Sequence, residues 1–159
     1  MGNIRAVVIT VSDACSRGER RDTSGEALKQ LVTDLGAELI ASMILSDDLD
    51  PLVQTLREFA EREDVNLIVT TGGTGLSKRD STHEAILQLL DKRLDGFGEL
   101  FRMLSYHEIG AAAMMSRACA GASKGKVVVS LPGSENAVRL AMTKLILPEL
   151  GHMVREVSR

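Results

Sequence analysis

The run Thr70-Thr71-Gly72-Gly73-Thr74-Gly75-Leu76-Ser77-Lys78-Arg79-Asp80 has the composition of an anion-binding loop. Glycines let the backbone approach an anion, free N–H groups supply donors, and a helix N-terminus just beyond adds roughly half a positive charge. Asp80 closes the run. A carboxylate beside a phosphate is repulsive unless a cation lies between them, which points to Mg²⁺ or to a part in the chemistry. Neither common nucleotide motif is present: Gly72 to Lys78 lacks the second glycine and closing hydroxyl residue of a P-loop, and nothing spells G-x-G-x-x-G. Taken alone, a glycine-rich turn with solvated Lys78, Arg79 and Asp80 accounts for the run equally well.

Other polar residues stand where apolar runs end: Ser12-Asp13, Ser46-Asp47-Asp48 and Pro132-Gly133-Ser134. Each has a plain reading. Asp13 and Asp47 suit turns, Asp80 suits a local backbone bond, and Ser134 suits a helix cap with Asn136 solvated behind it. Lys78 and Arg79 could neutralise phosphate. His83, His107 and His152 have no metal-ligand spacing, and Leu87 stands where a zinc-protease motif started by His83-Glu84 needs its second histidine. Cys15 and Cys119 lie far apart without a C-x-x-C, which suggests inert thiols in a reducing compartment.

The elements that must position these residues alternate. Ile4 to Val11 reads as a strand, followed by a helix opened by a capping box at Thr23-Ser24-Gly25-Glu26 and ended by Gly36. Glu38 to Leu45 is the second strand. Asp50 as cap and Pro51 at the first helical position predict the next helix, and Val65 to Thr70 is strand three, leading into the glycine run. Ser81-Thr82-His83-Glu84 reads as a capped helix start, with helices around 82–91 and 97–109. Lys126 to Leu131 is a further strand, after which Ser134 caps a long final helix. This alternation predicts a three-layer α/β/α domain spanning 1–159 with a mostly parallel sheet. In such a sheet the polar exits converge at one rim, beyond the carboxyl ends of the strands.

Composition narrows the function classes. A net charge of −3 with 3% aromatic residues and no Trp argues against a nucleic-acid binder, which would carry a basic surplus and stacking platforms. The first ten residues are too short and too polar at their exit for a signal peptide. Ala6 stands where a lipidation motif begun by Met1-Gly2 needs Ser or Thr, and no apolar stretch is long enough to cross a bilayer. A cytoplasmic location is therefore expected.

Four ordered segments carry a resemblance over nearly the whole chain: Thr70 to Asp80, Asp95-Gly96-Phe97-Gly98-Glu99-Leu100-Phe101-Arg102-Met103-Leu104-Ser105, Met115-Ser116-Arg117-Ala118, and Leu131-Pro132-Gly133-Ser134-Glu135-Asn136-Ala137-Val138. With Thr10-Val11-Ser12-Asp13 and Asp22-Thr23-Ser24-Gly25 they resemble the MogA/MoaB family of molybdenum-cofactor biosynthesis, nearest its MoaB branch. The resemblance implies a molybdopterin-binding α/β fold, a trimer or hexamer, work alongside other cofactor-biosynthesis proteins, and adenylylation of molybdopterin by Mg-ATP. It carries the family's functional aspartates onto Asp47 and Asp80, which become the candidate catalytic residues; for adenylyl transfer, Asp47 is expected to hold the Mg²⁺ and Asp80 to orient metal-bound water or the pterin. Ser12, Asp13, Gly72, Gly73, Thr74, Gly75, Ser116, Pro132, Gly133, Ser134 and Asn136 then become candidate substrate contacts. Two positions depart from the pattern: His83 and Glu135 stand where proline is common. A non-catalytic molybdopterin carrier is the alternative. A flavodoxin-like FMN protein also fits the alternation, but here the loop after strand one, Ser12-Asp13-Ala14-Cys15-Ser16, lacks a hydroxyl-and-glycine phosphate nest, and aromatics to flank a flavin are scarce.

Overall fold

The structure, a computed structural model, describes residues 3–159; Met1 and Gly2, on which the lipidation reading fell, lie outside the described residues. The chain opens with β1 (Arg5–Val11), a one-turn helix α1 (Asp13–Ser16), α2 (Thr23–Asp34), β2 (Glu38–Leu45), α3 (Leu49–Glu61) and β3 (Leu67–Thr71). Then come α4 (Thr82–Leu89), a two-residue β4 (Lys92–Arg93), α5 (Asp95–Ile109), a 3₁₀ segment (Gly110–Met115), β5 (Cys119–Ser123) and β6 (Lys126–Leu131). A last helical column runs from α6 (Glu135–Ala141) through a π turn (Met142–Ile146) into α7 (Leu147–Val157).

The six strands form one sheet in the order β2-β1-β3-β6-β5-β4. β2, β1, β3 and β6 are parallel, as the apolar runs predict, while β5 and β4 add an antiparallel edge. Side chains alternate across the sheet, so β1 divides its residues between two cores. Ala6 and Val8 pack with Leu28, Phe101, Val138 and Leu150 on one face; Val7, Ile9 and Val11 pack with Leu52, Leu56 and Ile86 on the other. From β1 the chain moves outward to β2, then crosses back to β3 on the other side. This reversal of direction opens a crevice between the carboxyl ends of β1 and β3, the place where α/β sheets hold ligands.

Several local readings need correction. The cap of α2 is Asp22, whose Oδ1 accepts from Gly25 N at 2.9 Å; Glu26 pairs with Arg21 instead of closing a capping box. α3 starts at Leu49, with Asp48 in the cap position and Pro51 third in the helix. Proline is tolerated there because the first four N–H groups of a helix have no intrahelical partner. Ser81 precedes α4 but makes no side-chain cap; its hydroxyl donates to the Asp47 carbonyl at 2.7 Å. β5 escapes the pattern because Cys119-Ala120-Gly121-Ala122-Ser123 is built of small residues without an apolar period. It turns into β6 through Lys124 and Gly125, both at positive φ (47° and 75°), as a tight hairpin requires.

Candidate functional site

Gly72 and Gly73 hold φ of 101° and 70°, values that an L side chain rarely adopts. The loop they open turns its carbonyls into the protein. Gly73 O accepts from Thr82 N at 3.1 Å, Thr74 O from Arg117 N at 2.9 Å, and Gly75 O from Arg117 Nε at 3.0 Å. Among the described residues the amides of Gly73, Thr74 and Gly75 donate to no protein acceptor. The expected donor nest is thus present as geometry: carbonyls occupied, amides open. Gly75 lies outside the positive-φ region, but a Cβ there would sit 2.7 Å from Asp80 Oδ2, so a side chain at 75 would displace that carboxylate.

These amides edge a cleft of about 410 Å³, lined also by Ser12, Arg20, Asp22, Asp47, Asp80 and Ser116. Pro132 and Gly133 also line it, packed against the start of the glycine loop: a Cβ on Gly133 would lie 3.3 Å from the Gly72 Cα. A neighbouring cleft of about 470 Å³ is lined by Asp48, Lys78, Arg79, Ser81, Glu84 and Arg117 among others. The two clefts share two residues, Asp47 and Asp80.

Asp47 leaves the end of β2 and Asp13 the end of β1, and the two residues exchange backbone-to-carboxylate bonds. Asp13 N donates to Asp47 Oδ2 at 2.9 Å, and Asp47 N donates to Asp13 Oδ1 at 3.0 Å. Asp47 Oδ1 has no hydrogen-bond donor among the described residues. Burial raises the Asp47 carboxyl above its ordinary range, and the nearby charges of Asp13 and Asp80 push the same way. Asp80 accepts from Ser77 N at 2.9 Å through Oδ2, the local bond that its plain reading anticipates, while facing both clefts. Asp13 is the opposite of Asp47. The Arg79 guanidinium holds its carboxyl down to about 2, helped by the Asp47 amide.

The sequence candidates therefore separate by place. Ser12, Asp47, Gly72, Gly73, Thr74, Gly75, Asp80, Ser116, Pro132 and Gly133 line the first cleft. Asp13 lies behind it, tied to Asp47 and Arg79. Ser134 caps α6, accepting from Ala137 N at 3.2 Å, and neither it nor Asn136 lines either cleft. Arg20 was not anticipated: its Nη2 donates to Ser12 Oγ at 3.2 Å, and it lines the cleft without a carboxylate partner among the described residues. The signal for it in the sequence is its position between two segments that carry the family resemblance, Thr10 to Asp13 and Asp22 to Gly25.

A half-buried carboxylate with one oxygen free of protein donors, and with the carboxylates of Asp13 and Asp80 nearby, suits a cation brought in with phosphate. Mg²⁺ needs only one or two protein carboxylates when phosphates supply further oxygens. Among the described residues no group of three or more His, Cys, Asp or Glu is placed to hold a metal by itself, and no helix is long and apolar enough to cross a membrane.

Residues 7–152 match a family model described as a probable molybdopterin binding domain. A molybdenum cofactor biosynthesis protein B from Bacillus cereus is 49% identical over 157 residues, covering 98% of this chain and 92% of that protein. The crystal structure of a tungsten cofactor synthesizing protein MoaB from Pyrococcus furiosus superimposes with a TM-score of 0.92 at 39% identity, covering 100% and 99% of the two chains. A molybdopterin biosynthesis Mog protein from Mycobacterium ulcerans gives a TM-score of 0.89 at 26% identity, covering 97% and 99%.

Proposed function

The chain belongs to the MogA/MoaB family of molybdenum-cofactor biosynthesis proteins, and from that premise we propose that it adenylylates molybdopterin with Mg-ATP. The observation that carries the reading is the pair of adjoining clefts whose shared residues are Asp47 and Asp80. A transfer between two bound substrates needs two sites that meet where the bond changes. Molybdopterin takes the cleft edged by the open amides of Gly73 to Gly75, and the triphosphate takes the cleft lined by Lys78. An oxygen of the molybdopterin terminal phosphate forms a bond to the α-phosphorus of ATP while the bond to the bridging oxygen breaks. Pyrophosphate leaves with that electron pair.

A phosphate oxygen is already a nucleophile and needs no general base, so the protein's share is alignment and charge stabilisation. The open amides hold phosphate oxygens. Asp47 would hold the Mg²⁺ that accompanies ATP, an ion that supplies charge neutralisation at the phosphates, and Asp80 orients polar groups at the junction. Ser12, Ser116, Pro132 and Gly133 shape the molybdopterin cleft. Asp13 supports Asp47, while Ser134 and Asn136 serve the end of α6. Homotrimers or hexamers and handover to other cofactor-biosynthesis proteins belong to the same reading.

The test is pyrophosphate release by the purified chain with Mg-ATP and molybdopterin, the product being identified by mass spectrometry. One pyrophosphate per adenylylated molybdopterin is expected. Molybdopterin binding without pyrophosphate would replace catalysis with a carrier role.

A further inference from the structure

Arg79 sits between the glycine loop and Asp80, where a cation would be expected to meet phosphate, yet each of its three guanidinium nitrogens donates to a carboxylate. Nε and Nη2 fork onto Asp13 Oδ2 and Oδ1 at 3.0 and 2.8 Å, and Nη1 reaches Asp48 Oδ1 at 2.9 Å. Asp13 follows β1, Asp48 follows β2, and Arg79 follows β3. One side chain therefore ties three strand exits together. The tie extends one step further, because Asp13 is the residue that exchanges both backbone-to-carboxylate bonds with Asp47. Held this way, Asp47 has one oxygen engaged by the Asp13 amide and the other left for a ligand.

We infer that Arg79 is a positioning residue: by forking onto Asp13 and reaching Asp48 it fixes the Asp13–Asp47 pair and so aims the outer oxygen of Asp47 at the junction of the two clefts. The planar fork is what the geometry uses. Two parallel bonds to one carboxylate fix its rotation as well as its position, and the third bond reaches a second carboxylate across the gap. Lysine would keep the charge, but a single ammonium cannot hold one carboxylate in two-point register while reaching another. The inference deepens the adenylyl-transfer reading and rests on it for its kinetic consequence; the order imposed on Asp13 and Asp47 is independent of it.

The experiment compares Arg79→Ala, Arg79→Lys and a control, Arg62→Ala. The control deletes an exposed arginine–aspartate pair, Arg62 with Asp64 at 2.6 Å, that is part of neither cleft. The first readout, taken without ligand, is amide hydrogen exchange. The Asp13 and Asp47 amides should exchange at least about tenfold faster in both Arg79 variants, with Val69 in β3 unchanged, and at the native rate in the control. The second readout is pyrophosphate release: kcat falls at least about tenfold in both variants, and millimolar guanidinium ion restores part of it in Arg79→Ala. Native exchange at Asp13 and Asp47 in a folded Arg79→Ala protein overturns the inference. So does an Arg79→Lys protein with native exchange and turnover, because charge alone would then suffice. If the unmodified protein releases no pyrophosphate, the catalytic reading fails while the exchange data still decide the role of Arg79.

Discussion

Gly72 backs onto the carbonyl oxygen of Val11 so closely that a side chain at position 72 would overlap it. The contact joins the exits of β1 and β3 at the crevice where the sheet reverses direction, so this close backbone approach borders the first cleft. Gly72→Ala must adopt a φ near 101° and displace the Val11 carbonyl. A loss of at least about 2 kcal/mol is expected in urea unfolding. Gly96→Ala, in α5 where a Cβ meets nothing within 4 Å, should be neutral or stabilising by about 0.5–1 kcal/mol. Equal stability of the two variants would show that the contact is not limiting.

Asp80→Asn retains an oxygen that can accept from Ser77 N but removes the charge at the junction of the clefts. Turnover should fall at least about a hundredfold, close to 3 kcal/mol of barrier, with the melting temperature unchanged. A folded variant with near-native pyrophosphate release would reduce Asp80 to the turn residue its local bond suggests.

Asp47→Ala should weaken Mg-ATP binding while molybdopterin binding largely survives, because the open amides of Gly73 to Gly75 do not depend on that side chain. Titration calorimetry with each ligand separately checks this. Unchanged Mg-ATP affinity would remove Asp47 as the metal ligand.

His83 titrates below the ordinary histidine range because burial penalises its charged form and Arg117 lies close. Its Nδ1 lies 2.9 Å from the Arg117 carbonyl, which can only accept, so that nitrogen carries the hydrogen. The unfolded chain binds a proton near pH 6.5 that the folded chain resists. Stability from this residue is therefore complete above pH 6.5 and is lost as pH falls through the folded value. In melting curves from pH 7.5 to 5, His83→Gln should lose less stability than the unmodified protein. Parallel curves would show that the imidazole does not contribute.

Leu100, Met103, Tyr106 and Ile109 on α5, with Met114 and Met115 beyond it, remain exposed although Phe97 and Phe101 of the same helix are buried. So many large apolar side chains left exposed in one stretch predict a symmetric assembly that covers them. Light scattering at micromolar concentration should give three or six times 17.2 kDa, and Met103→Glu should lower it. A single-chain mass for the unmodified protein would refute the assembly.

The sequence alone determined the parallel centre of the sheet, because β1, β3 and β6 are short, nearly continuous apolar runs that suit strands buried on both faces. It also placed the glycine loop at a strand end and Ser134 as the cap of α6, both local matters of backbone freedom and side-chain reach. It missed the antiparallel edge, whose small residues carry no period. The roles given to Asp47 and Asp80 came from resemblance, since an aspartate in a turn looks the same by itself whether or not it meets a ligand. Only the tertiary structure decided that Arg79 turns to carboxylates instead of standing free for phosphate, and that Asp13 and Asp47 hold each other. Those partners lie 66, 31 and 34 residues apart in the chain. No periodicity or spacing reports bonds across such distances, because they exist only once parallel strands bring their carboxyl ends to one rim.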